Sequence, residues 1–261
     1  MAERGMGAAL AFFNSRRGDT FTIIHISDLT KSYLSKHLHP SHLKNYYIDL
    51  AYGARVKADW LCREKEEGRT TCESLTRLAE RSGTDLLVLG SWGRKGEKLD
   101  ALGTVSEFTL RQSRCSLCIV RSTGATGFGG GGTGGARYLF ATDGSHAAHL
   151  AFSFLLAYVL RPADFVVVVT VTAEDGTAES RVIQQYSEYM RKRKVNGECH
   201  VRCVDRLSTT VPEGIVDAVA AYSCDVLVMG ISGYGRKKLG SVSEDISTRA
   251  SCTTLLIKDP A

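Results

Sequence analysis

Residues 85–120 read DLLVLGSWGRKGEKLDALGTVSEFTLRQSRCSLCIV, and residues 225–257 read DVLVMGISGYGRKKLGSVSEDISTRASCTTLLI. The second stretch repeats the first. Gly90 and Gly93 align with Gly230 and Gly233 at an offset of 140, and Gly103-Thr104-Val105-Ser106-Glu107 aligns with Gly240-Ser241-Val242-Ser243-Glu244 at an offset of 137. The chain therefore carries two copies of one unit, and the second has three fewer residues in its glycine loop.

Outward from the repeat, the second copy delivers its elements in strict alternation. Residues 137–142 (RYLFAT) predict a short strand ending at Asp143-Gly144-Ser145, and 146–160 carry Leu150, Phe154 and Ala157 at helical spacing. Residues 164–171 (DFVVVVTV) form a continuous β-branched run of the kind found in strands covered on both faces. A charged helix over 179–196 ended by Gly197, a strand over 199–205, a helix over 212–223 opened by Pro212 and Glu213, and a strand over 225–229 follow. After the glycine loop come a helix over 242–250 and a strand over 253–257. Strands that alternate with helices in this way make an α/β, doubly wound parallel sheet, because right-handed crossovers lay helices on both faces.

The first copy keeps the same order from its first helix onward. Asp19 aligns with Asp164 at an offset of 145, which makes 20–26 the second strand of the unit and 5–15 its first helix. The same offset pairs Met1 with His146, so the first copy lacks its first strand and the Asp-Gly-Ser turn. In a sheet of order 3-2-1-4-5 that strand is central. Its loss leaves the second and fourth strands either paired directly or separated by an unfilled slot. An N-terminally shortened chain explains this better than a degenerate domain, since a missing central strand exposes two unpaired parallel edges. The expected domains are 1–121 and 137–261. The Gly-rich linker between them, 122–136, holds too few apolar groups to order itself and should let the halves pack in more than one orientation.

Composition is consistent with two domains. The 261 residues suffice for two cores, and the formal charge of +5 is spread along the chain apart from short clusters such as Arg191-Lys192-Arg193-Lys194, which read as solvated helix faces and not as a nucleic-acid footprint. Eight cysteines at irregular spacing within apolar runs read as small buried hydrophobes in a reducing compartment. The Cys115–Cys118 pair has no second pair beside it, so neither zinc nor redox chemistry is expected there. No apolar run approaches the ~20 residues of a membrane span and no signal-peptide pattern opens the chain, which points to the cytoplasm and to no membrane partner.

In an open parallel sheet, ligands bind at the carboxyl ends of the strands, where the strand order reverses. Asp143-Gly144-Ser145 and both glycine loops fall there. Gly103-Thr104-Val105-Ser106 and Gly240-Ser241-Val242-Ser243 begin helices, whose free N–H groups and hydroxyls suit the oxygens of a phosphorylated ligand. A plainer reading stands beside this one: Thr104 with Glu107, and Ser241 with Glu244, have capping-box spacing, and Asp143 suits a tight turn. The convergence of all these turns on one end of a sheet favours the ligand.

The spacing Gly90-x-x-Gly93, nine residues, then Gly103-Thr104 resembles the G-2x-G-9x-G-(S/T) nucleotide motif of the universal stress protein family, and the strand ending in Asp143-Gly144-Ser145 resembles that family's opening strand. The likeness covers nearly the whole chain as a tandem pair. It implies two flavodoxin-like domains of order 3-2-1-4-5, with ATP, with or without Mg²⁺, at the reversal point. The family's opening-strand aspartate maps onto Asp143 only. Its phosphate-cradling residues map onto Gly90, Gly93, Gly103, Thr104 and Ser106, and onto Gly230, Gly233, Gly240, Ser241 and Ser243. Arg94, Lys95 and Lys98 lie inside the first loop, where they can add charge around a triphosphate. Copy 1 keeps the full loop without the aspartate; copy 2 keeps the aspartate with six residues, 234–239, where the motif has nine. Family members pair through their last strands, which implies an intramolecular pseudo-dimer with its two sites apart, and leaves room for a homodimer.

Three classes of function follow in order. The first is an ATP-binding stress or signalling protein. The second is a degenerate scaffold that binds no nucleotide and acts through dimerisation or protein interaction. An enzyme comes last, because GxxxxGK[ST], GxSxG and HExxH are all absent and no general base can be named, which leaves at most slow ATP hydrolysis. His25, His146, His149 and His200 each lie on or beside a regular element, where packing or surface roles outweigh catalysis. The absence of GxGxxG after the first strand of copy 2 argues against NAD.

Overall fold

The computed structural model describes residues 2–28, 30, 38–93, 101–121, 135–173, 177–205, 207–232 and 240–259. Copy 1 runs α1 (Ala2–Phe12), β1 (Phe21–Ser27), α2 (Pro40–Gly53), β2 (Ala58–Glu64), α3 (Thr71–Arg81), β3 (Leu86–Gly90), α4 (Thr104–Gln112) and β4 (Ser116–Val120). Copy 2 runs β5 (Arg137–Ala141), α5 (His146–Phe154), β6 (Phe165–Thr172), α6 (Thr177–Arg193), β7 (Gly197–Cys203), α7 (Val211–Ala221), β8 (Val226–Ile231), α8 (Ser241–Arg249) and β9 (Thr253–Lys258). Several expected bounds shift locally: the first helix is Ala2–Phe12 where 5–15 was expected, and β7 is Gly197–Cys203 where 199–205 was expected. The helix over 146–160 is α-helical only to Phe154 and continues as one π turn, Leu155–Val159. Gly197 opens β7 and does not end α6: a Cβ there would lie 2.1 Å from the Val166 carbonyl oxygen, so the strands approach too closely for any side chain.

Copy 2 has strand order β7-β6-β5-β8-β9, all parallel, which is the expected 3-2-1-4-5. Its inner strands are covered on both faces, and Val166, Val167, Val168 and Val169 are wholly buried. Copy 1 is divided. β3 and β4 join copy 2 through an antiparallel β4–β9 pair, giving one seven-stranded sheet, β3-β4-β9-β8-β5-β6-β7, while β1 and β2 stand apart as a two-stranded parallel sheet. Of the two outcomes expected for a missing central strand, the slot is the one observed. In the β4–β9 ladder Cys118 faces Leu255, two residues that the offset of 137 makes equivalent, so the local twofold relating the copies passes through that pair.

The cores explain why the halves hold together. On one face of the long sheet Leu117 and Ile119 pack in a single cluster with Leu139, Leu227 and Leu256; on the other, Ala8, Phe12, Cys118 and Val120 pack with Tyr138, Phe140, Val228 and Leu255. Each cluster draws on both copies. Reorienting the halves would expose apolar surface worth roughly 25 cal/mol per Å² and break the β4–β9 ladder, so the expected freedom of packing is not realised: one arrangement is fixed by burial. By contrast β1 and β2 rest on a small cluster of Met6, Phe21 and Ala51.

Candidate functional site

In copy 1, β3 ends at Gly90 and the chain turns immediately. The Ser91 N–H donates to the Val120 carbonyl at 2.8 Å, and the Gly103 N–H donates to the Ser91 carbonyl at 2.8 Å. The two ends of the glycine loop are thereby tied to each other. A Cβ on Gly103 would stand 3.0 Å from the Ser91 oxygen and 3.4 Å from the Trp92 Cα, which is why this position has no side chain. Gly93 is exposed with open space around it. Thr104 is the first residue of α4 and is exposed, whereas Ser106 is buried and donates its hydroxyl to the Gly90 carbonyl at 2.8 Å. That bond fastens the first turn of α4 to the end of β3.

The capping-box alternative is corrected by this geometry. The N-cap of α4 is Gly103 and that of α8 is Gly240, neither with a side-chain cap, so Thr104 and Ser241 sit one position too late to cap their helices. Glu107 instead pairs with Arg111 at 3.5 Å, and Glu244 with Arg111 at 2.6 Å. Capping boxes do form, at Thr70–Glu73 and Thr210–Glu213, where backbone N–H donation holds both carboxylates below their ordinary range. Ser145 caps α5 by accepting from the Ala148 N–H. The two helices that follow the glycine loops thus differ from α3, α5 and α7: their first N–H groups meet no side-chain acceptor at the cap.

In copy 2, Asp143 is exposed at the end of β5, and its Oδ1 accepts the Ser145 N–H at 2.9 Å. Gly144 adopts φ +74°, and a Cβ would press on Val182, so the turn requires glycine. Beneath it the Gly144 N–H donates to Thr142 Oγ1, Thr142 to the Tyr186 hydroxyl at 3.1 Å, and Tyr186 meets His149 Nδ1 at 3.0 Å. Burial holds the Tyr186 phenol above its usual range. Gly230 serves packing: a Cβ would lie 2.2 Å from the Ala147 carbonyl oxygen, so β8 runs directly against the first turn of α5. Gly240 has nothing nearer than Ser243 Oγ at 3.8 Å; Ser241 is exposed and Ser243 buried. His146 Nδ1 approaches Asp259 Oδ2 at 3.1 Å, and the Asp259 N–H donates to the Ile231 carbonyl, closing the same end of the sheet.

Arg94, Lys95, Lys98, Gly233 and residues 234–239 lie outside the described residues. Because β4 and β9 are antiparallel, the carboxyl ends of the two copies' strands point in opposite directions. Sequence reasoning passed over Trp92, whose Nε1 is buried without an acceptor among the described residues. Its place inside Gly90-x-x-Gly93 was the available signal. Cys115 and Cys118 are both buried free thiols, pushed up by desolvation.

The sequence pattern of the universal stress protein family matches residues 2–121 and again residues 136–258. The chain belongs to the universal stress protein family. No curated protein matches it. Among solved structures, a universal stress protein from Archaeoglobus fulgidus DSM 4304 is similar over 97% of this chain and 91% of its own, with 17% identity and a TM-score of 0.63. A putative universal stress protein from Pseudomonas aeruginosa UCBPP-PA14 is similar over 94% and 95%, with 12% identity and a TM-score of 0.59. These likenesses support the tandem fold of this universal stress protein. No helix among the described residues is long and apolar enough to cross a membrane.

Proposed function

We propose that this universal stress protein binds ATP, with or without Mg²⁺, and that the phosphates lie at the start of α4. The observation that carries this reading is the uncapped start of α4 behind a loop of full motif length: Gly103 provides no acceptor, so the first-turn N–H groups point out of a positive helix end beside the exposed Thr104 hydroxyl. Copy 2 supports a weaker site. It has the aspartate, the complete sheet and the uncapped α8, but three fewer loop residues span up to ~10 Å less chain.

Equilibrium dialysis with radiolabelled ATP tests this. Saturable binding that is lost in Gly103→Val and kept in Asp143→Ala supports the α4 site; loss only in Asp143→Ala moves the nucleotide to copy 2. Absence of saturable binding to the unaltered protein removes the reading altogether.

A non-binding scaffold is favoured by one specific observation: Ser106, Ser91 and Gly103 all satisfy one another or the neighbouring strand without a ligand. Acid extraction of protein purified without added nucleotide separates the readings. Stoichiometric adenine nucleotide in the extract counts against the scaffold.

A further inference from the structure

The hydrogen bonds beneath the Asp143 turn run in one direction. The first donor is the Gly144 N–H, which can only donate, so Thr142 Oγ1 accepts there at 3.1 Å. Thr142 donates in turn to the Tyr186 hydroxyl at 3.1 Å, and the single proton of Tyr186 is left to meet His149 Nδ1 at 3.0 Å. Nδ1 is therefore an acceptor, and the neutral ring carries its proton on Nε2.

The members of this series differ in what they can do. Tyr186 is 3% exposed and Thr142 7%. The Tyr186 ring is wedged against Phe140 and Phe152, with centroids 5.6 and 4.9 Å away, so only its O–H can turn, and burial keeps the phenol protonated. His149 stacks on Tyr186 at 5.3 Å but is itself exposed, which makes it the member able to exchange a proton with solvent near neutral pH.

An imidazolium places an N–H at Nδ1, facing the Tyr186 proton across 3.0 Å. The series must then reverse, with His149 donating to Tyr186 and Tyr186 to Thr142. Thr142 Oγ1 now receives two donors, Tyr186 and Gly144, and its own proton loses the acceptor it had. The cost falls on the turn, where Gly144 is held at φ +74° and Asp143 Oδ1 accepts the Ser145 N–H.

The titratable groups around His149 are Tyr186 and Tyr189 on α6, Asp143 in the turn, and His146 on the same helix, which approaches Asp259. Arg181 and Glu188, the charged residues of α6 that flank Tyr186, form no ion pair among the described residues. Of the strands beneath α5, β8 carries no charge, and the Lys258 of β9 is engaged at the end of α4. Copy 1 has no such device. Ala58, opposite Phe21, corresponds to Gly197, opposite Val166, and that offset of 139 carries Tyr47 to Tyr186, while the offset of 145 carries Arg4 to His149. An arginine keeps its proton.

We propose that His149 is a proton-operated latch on the Asp143-Gly144-Ser145 turn, acting through Tyr186 and Thr142: the neutral ring holds the turn, and the imidazolium loosens it. The latch works without a ligand, because every group in it belongs to the chain.

The test is an NMR titration of the full chain with pH, following the His149 ring nitrogens and the Gly144 amide. In the neutral ring Nδ1 should be bare and Nε2 protonated. As the ring gains its second proton, the Gly144 amide should shift with the same midpoint, and its exchange protection should fall about twofold or more. In Tyr186→Phe the ring still titrates and Gly144 no longer follows it. A proton on Nδ1 of the neutral ring, a reading that needs no variant, overturns the proposal. So does a Gly144 amide indifferent to the His149 titration, or a response that survives Tyr186→Phe. Loss of the response in His146→Gln overturns it as well, since the His146–Asp259 pair is then its source.

Discussion

Arg121 and Lys258 stand at equivalent ends of the β4–β9 pair, and each caps the last turn of the other copy's helix. Arg121 donates to the carbonyls of Ser247 at 3.0 Å and Thr248 at 2.6 Å at the end of α8, and Lys258 donates to those of Leu110 at 2.9 Å and Ser113 at the end of α4. Both side chains are buried, at 6% and 4% exposure. A buried cation is costly unless its donors are used; here they meet the negative ends of helix dipoles and satisfy carbonyls that a helix leaves unpaired. The exchange joins the copies by polar bonds as well as by the sheet.

Removing that cap is expected to weaken the whole molecule and not one half. Lys258→Met leaves buried carbonyls without a donor, and urea unfolding should show a loss of about 2 kcal/mol or more in a single transition. Two separated transitions, or no loss, would show that the exchange does not couple the copies.

The same lysine gives a pH signature. Burial pushes its ammonium down to about 8 from an ordinary value of 10.5. Between those values the unfolded chain holds the proton that the folded chain has released, so stability rises with pH across the window. Below it both states are charged, and above it both are neutral. Measured against Lys258→Met to cancel other titrations, the native protein should therefore gain ground between about pH 8 and 10.5. A flat difference, or one that falls, would contradict a desolvated lysine.

Two glycines that flank the second copy's glycine loop should respond differently. Gly230→Ala drives a Cβ into the Ala147 carbonyl and is expected to cost about 2 kcal/mol or more, whereas Gly240→Ala meets only Ser243 Oγ at 3.8 Å and should stay within about 0.5–1 kcal/mol of the native protein in thermal melts. Equal losses would mean that β8 does not press on α5 as described.

Beneath the Asp143 turn, Tyr186→Phe deletes the hydroxyl shared by Thr142 and His149. The expected cost is about 1–2 kcal/mol, read as a lower denaturation midpoint. An unchanged midpoint would mean that water replaces the phenol without penalty.

How far the sequence carried these features depends on their range. The 140 and 137 offsets between the glycine stretches revealed the tandem fold, and the offset of 145 between Asp19 and Asp164 revealed the slot, because a repeat transmits long-range pairing through local pattern. Boundaries drifted where tertiary contact overrode local preference, as at Gly197, which the approach of Val166 places in a strand. The capping of α4 was misjudged because Thr104 and Gly103 are adjacent, and only backbone geometry decides which of them lies outside the helix. The Arg121–Lys258 exchange was hidden because its acceptors are main-chain carbonyls, which no residue type announces.

The most direct measurement of the nucleotide claim is an amide NMR titration of the full chain with ATP. The N–H resonances of Thr104 and Val105, at the start of α4, should shift saturably and before those of Ser241 and Val242. If all four hold still at ATP concentrations well above cellular levels, or only residues remote from both helix starts respond, the phosphate site proposed here does not exist.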